Sequence, residues 1–229
     1  MKEITIAEPS ICAFIQSHCY SLMSQWKALV DIYGADILQQ KIETCIQEIK
    51  LDPQKRADGI AYIRKGENSI YLCIDPEEMT LENLQNQPEW LQHIAHEVLH
   101  KIWETDNAIA CHQIDRNGQA LGEGLTQWGV QKLYHQPLSK DAYQRYTVMI
   151  EIIERFLGEE KVLQLSKNNR KHLEHVVGKA NVDMFLTYLD TQLQLHRANK
   201  RREELSNILT KLIAFKEVGL DAPEDMKEF

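Results

Sequence analysis

The run His93-Ile94-Ala95-His96-Glu97-Val98-Leu99-His100 decides how the rest of the chain is read. Residues four apart on a helix lie on one face, a turn from each other, so His96 and His100 can aim two imidazoles at one point. Glu97 follows the first of them and can lean over the same place. The arrangement exists only on a helix, and the flanking residues favour one. Pro88 suits a first helical turn, where its missing N–H costs nothing, with Asn86 or Gln87 just outside. Trp90, Leu91, Ile94, Ala95, Val98, Leu99, Ile102 and Trp103 then recur at three- and four-residue spacing, a stripe that would bury a helix over 88–104 and leave His96 and His100 facing a cleft.

His96, Glu97 and His100 spell H-E-x-x-H, which supplies two metal ligands and a carboxylate to take a proton from water. That is the donor set of zinc-assisted hydrolysis. In a chain with nine histidines the pattern arises by chance roughly 3 times in 100. The plain alternative is a helix whose histidines are partly buried and hydrogen-bonded.

Composition sets outer limits. The chain has 229 residues, 43% hydrophobic and 26% charged, ordinary for a globular protein and enough for one sizeable core. A formal net charge of -8 argues against a nucleic-acid binder, which needs a basic surface. Arg197, Lys200, Arg201 and Arg202 read as a solvated helix face. Cys12, Cys19, Cys45, Cys73 and Cys111 lack C-x-x-C spacing, so a reducing compartment is expected rather than a disulfide framework. Met1-Lys2-Glu3-Ile4 does not open a signal peptide and no run approaches a membrane span. The expected location is therefore cytoplasmic, with export by a route that reads no N-terminal signal left open.

Outward from the histidine run, residues 10–50 read as helices. Ile11, Phe14, Ile15, His18, Leu22 and Met23 mark one face of the first. A helical stretch from Leu29 to Tyr33 follows, then one from Ala35 to about Lys50 after Gly34, with Ile37, Leu38, Ile42, Cys45, Ile46 and Ile49 buried. Asp52-Pro53 closes it. Gly59–Arg64 and Ser69–Asp75, separated by Lys65-Gly66-Glu67-Asn68, read as a β-hairpin over 59–75. A free edge on Ser69–Asp75 would offer its backbone to an extended peptide; structural cover is the alternative. A polar loop from Thr105 to Leu121 precedes a helix over 122–134, and residues 140–218 read as further helices, broken at Gly158 and Gly178. The whole chain, 1–229, reads as a single predominantly helical α+β domain.

A catalytic zinc site usually takes three protein ligands and keeps one open position. Glu123 is the leading candidate for the third. It follows His100 by enough chain for a loop and a reversal, and Gly122 and Gly124 beside it allow close approach to the first helix. Gln127, one turn on, shares its face and could accept a hydrogen bond from a ligand histidine. Asp106, Glu104, His112 and Asp115 compete for the same role. Asp106 sits where some metallopeptidases place a third ligand, but those chains turn at a glycine where this one has Trp103. His93 shares the histidine face and reads as a second-layer or substrate-side residue.

His96-Glu97-Val98-Leu99-His100 followed by Gly122-Glu123-Gly124-Leu125-Thr126-Gln127 resembles the gluzincin metallopeptidases, and is similar in particular to small bacterial gluzincins with an E-G-x-T-[EQ] segment. The resemblance spans about residues 59–134. It implies a zincin-like fold, with a small sheet packed beside the H-E-x-x-H helix and a glutamate-bearing helix. It also implies one Zn2+ held by His96, His100 and Glu123, with Glu97 as general base. Many gluzincins place a carboxylate one turn after the ligand glutamate to orient a histidine; here that position is the amide Gln127. The reaction implied is peptide-bond hydrolysis on a peptide or protein substrate; the charge and the lack of a long apolar run add the expectation of no nucleic-acid or membrane partner. Tyr134, Tyr143, Tyr146, His172 and His175 are candidate donors to the oxyanion. Two other readings remain: a metal-containing regulatory or interaction protein without general protease activity, and a metal-free helical interaction protein.

Overall fold

The computed structural model describes residues 4–55, 60–64, 67–103, 119–135, 144–164, 174 and 178–180. These form a predominantly helical chain with one small mixed sheet. The chain divides into two compact units, Met1–Ile102 with Gly129–Ser139, and Trp103–Trp128 with Lys140–Phe229. Among the described residues no helix is long and apolar enough to cross a membrane.

The first unit opens with β1 (Thr5–Ile6), α1 (Pro9–Gln25), α2 (Lys27–Tyr33) and α3 (Ala35–Cys45). α1 starts on Pro9 and buries Ile11, Ile15, Cys19 and Met23, a four-residue recurrence that makes one apolar stripe. α2 adds Leu29 and Tyr33, and α3 adds Leu38, Ile42 and Cys45. Burial pushes the Cys19 thiol up to about 12, so it packs as a small hydrophobe. Cys12, Cys45 and Cys73 are likewise not joined in disulfides.

α3 stops at Cys45 and does not run on to Lys50. The chain turns at Ile46, whose carbonyl accepts from Gln16 Nε2 at 2.7 Å and from the Cys12 thiol at 3.2 Å. Glu48–Leu51 then form β2. The reason lies in period. Ile42, Cys45, Ile46 and Ile49 fit a helical spacing, but Ile49 and Leu51 also fit the alternation of a strand. Pairing with β4 (Ser69–Leu72), remote in sequence, settles which wins.

The sheet order is β1-β2-β4-β3, with β3 at Ala61–Ile63. β3 and β4 pair antiparallel, Tyr62 opposite Tyr71, as the hairpin expectation required, while β2 and β4 run parallel. β4 is therefore interior. The free edge expected on Ser69–Asp75 is occupied on both sides, and the sheet's outer strands are β1 and β3. One face presents Ile49, Ile70, Leu51 and Leu72 to the core. The other carries the row Lys50, Tyr71, Tyr62. The two tyrosine rings stack at 4.8 Å, and the Arg64 guanidinium lies 4.2 Å from the Tyr71 ring. Tyr71 donates to Glu67 at 2.6 Å and Tyr62 donates to Asp52 at 2.6 Å. The sheet's second face is thus covered by its own side chains.

α4 (Leu81–Asn86), not expected from sequence, is capped by Thr80, whose Oγ1 accepts from the Asn83 N–H at 3.1 Å. α5 (Pro88–Trp103) begins at the expected proline. From Trp90 to Trp103 every α5 residue is buried except His93 and Glu97, which are half-buried. With exposed Glu89 they form one line at four-residue spacing, so α5 opens to solvent along Glu89, His93 and Glu97.

α6 (Gln119–Tyr134) starts one turn before the expected Gly122 and ends where His135 adopts a φ of 53°, the left-handed conformation that terminates helices. Within the second unit it lies against α7 (Gln144–Leu157), which ends at Gly158 with a φ of 85°. α7 buries Tyr146, Thr147, Ile150 and Ile153. A Cβ on Gly124 would stand 2.7 Å from the Tyr146 Cβ and 2.8 Å from its carbonyl carbon and oxygen. The glycine therefore serves close approach to α7, where the sequence suggested approach to the histidine helix. Gly124→Ala is expected to cost about 1–3 kcal/mol by overpacking, read as a lower thermal midpoint; an unchanged midpoint would contradict the contact. The loop expected at 104–118, the helical start expected at 140–143 and the helices expected beyond 164 lie outside the described residues apart from the few positions given above.

Candidate metal centre

On α5, His96 is 6% exposed and His100 3%. Their Nε2 atoms share a hydrogen bond at 3.0 Å, with ring centroids at 4.7 Å and planes at 76°. Two nitrogens bound to one zinc at about 2.0–2.1 Å in tetrahedral geometry stand roughly 3.3 Å apart, so the pair is set close to the spacing of a shared ion. Glu123, 5% exposed on α6, completes the set. One ligand atom from each of His96, His100 and Glu123 lies within 4.8 Å of the others, the one such group of three among the described residues.

The chemistry of the donors fits a borderline metal. Two imidazoles and one carboxylate suit zinc or a neighbouring transition metal and suit calcium or magnesium poorly, since those prefer oxygen. A buried carboxylate is also a group that a cation offsets well. The three buried side chains can hold a metal ion.

The remaining expected site residues are spread more widely. Glu97 is half-buried on the solvent-open line of α5, next in sequence to His96. His93 lies one turn before it; burial pushes its imidazole below the usual histidine range, against a small opposing pull from Glu89. Gln127 is buried one turn beyond Glu123. Tyr146 is fully buried on α7 against Gly124. Tyr143, His172, His175, Glu104, Asp106, His112 and Asp115 lie outside the described residues.

Tyr134 belongs elsewhere. Its hydroxyl is 3.0 Å from His18 Nε2, and three turns of α6 set its Cα about 16 Å from that of Glu123. It ties α6 to α1. Burial drives the tyrosine's pKa upward, with Cys19 adding to the effect, and drives that of His18 downward. A histidine depressed in the fold binds its proton more readily when unfolded, so its contribution is complete above about pH 6.5 and is lost as pH falls toward the folded value. The thermal midpoint of the metal-free protein is expected to fall between pH 7.5 and 5.5, and to fall less in His18→Gln. Equal falls in both would show that His18 is not a source of the acid sensitivity.

The sequence pattern did not expose two ties: His18 to Tyr134, and Trp128 Nε1 donating to Glu154 at 2.8 Å. Both join residues whose only relation is spatial. No protein-family model matches the chain, and no curated protein or solved structure matches it either. The likeness to gluzincins rests on the motif residues alone.

Proposed function

We propose that the chain is a zinc-dependent peptidase of gluzincin type, with His96, His100 and Glu123 as metal ligands and Glu97 as general base. The supporting observation is the convergence of two imidazoles and a distant carboxylate, all buried, to within 4.8 Å. Zinc, when bound there, supplies a Lewis acid that brings a water's pKa toward neutrality and polarises a carbonyl. Glu97 accepts the proton of the attacking water and returns it to the leaving amine. Its half-buried place lets it meet substrate while the ligands stay dry, a condition that strengthens electrostatic effects at the reacting carbonyl. His93, neutral and on the same open line, is placed to meet substrate one turn away.

A second reading has support in the burial of all three donors, none more than 6% exposed. On that reading the protein holds a metal for regulation or partner binding and cleaves no general substrate. Turnover of an unbiased peptide library, with and without chelator and with zinc added back, separates the two. Chelator-sensitive cleavage restored by zinc is the result expected of the peptidase. Metal-loaded protein that leaves every peptide intact would favour the second reading.

A further inference from the structure

We infer that α7 fixes the rotation of α6 and so the reach of Glu123, with Glu154 a positioning residue that acts through Trp128. This rests on the metal-site reading above. Two contacts between α6 and α7 bear on this. At Gly124, next to the ligand, the helix backbone comes within van der Waals contact of Tyr146, leaving no room for a methyl group. One turn further on, Trp128, 1% exposed, donates its indole N–H to the Glu154 carboxylate at 2.8 Å.

Gly124 and Trp128 are about 6 Å apart along α6, and Tyr146 and Glu154 about 12 Å apart along α7. A single contact lets a helix roll about its axis; two separated contacts do not. The distinction matters for a ligand. Side-chain ends stand roughly 6 Å from the helix axis, so a roll of about 20° carries a carboxylate about 2 Å. Metal–oxygen bonds tolerate about 0.2 Å. Gly124 and Trp128 share the face that meets α7, which turns the neighbouring line of Glu123 and Gln127 away from it by about 100°. Thr126, fully buried, bonds back to the Gly122 carbonyl at 2.9 Å and occupies the same turn.

The test measures zinc affinity by competition with a chromophoric chelator, beside the thermal midpoint of each metal-free protein. Trp128→Phe and Glu154→Ala should each weaken zinc binding about 10- to 100-fold, the range for groups that orient a ligand from behind. Glu154→Gln, which keeps an acceptor oxygen, should stay within about threefold of the unmodified chain. The loss in the double variant should fall short of the sum of the two single losses, since both remove the same indole–carboxylate bond. Glu154→Ala alters a half-buried site and keeps the test decisive should Trp128→Phe fail to fold. Zinc affinity unchanged in the folded variants, with only the metal-free midpoint lowered, would overturn the positioning role and leave the metal site standing. An unmodified chain that does not bind zinc would overturn both.

Discussion

Replacing Glu97 with glutamine is expected to lower peptide turnover by about 10²- to 10⁴-fold while zinc content stays at the unmodified level. The amide matches the carboxylate in shape but cannot take a proton, so the loss falls on the proton-transfer step. Glu97 is not among the three converging donors, which is why metal binding should survive. The loss should appear in kcat and in kcat/KM together, as it does when an interaction made only in the transition state is removed. Retained turnover at full zinc loading would remove Glu97 from the mechanism. Simultaneous loss of zinc and activity would instead make it a ligand.

Removing the Glu123 carboxylate should have a comparable effect on the metal itself. With Glu123→Ala, two imidazoles remain, and two neutral ligands hold zinc weakly. The sensitive readout is stability, because an ion that binds only the folded chain stabilises it by mass action. At a free concentration 100 times the dissociation constant that gain is about 2.7 kcal/mol, or roughly 5–10 °C of thermal midpoint for a chain of this size. The unmodified chain should show that rise on zinc addition and Glu123→Ala should lose most of it. A full rise in the variant would assign the third ligand to another residue, with Asp106 and Glu104 next in line.

The parts of the fold written locally were readable. α5 carries its proline start and an unbroken apolar spacing, and the hairpin strands flank a turn-forming run. What failed was written at long range. The alternation Glu48-Ile49-Lys50-Leu51 is too short to beat the helical spacing before it, and only the parallel partner β4 makes it a strand. The same pairing turns Ser69–Leu72 from an edge into the middle of the sheet. At the site, His96 and His100 announce themselves because a single helix sets their spacing. Glu123 stands out in the sequence only by its flanking glycines and by the resemblance of its segment to a known one. Tyr134 shows the limit: nothing local in the sequence signals that its hydroxyl lies against His18.

Metal analysis of protein purified without a metal-affinity tag tests the central claim most directly. The account predicts one zinc per chain, falling to a small fraction in His96→Ala and in Glu123→Ala. Folded protein carrying no transition metal and taking up none from a zinc buffer would contradict it.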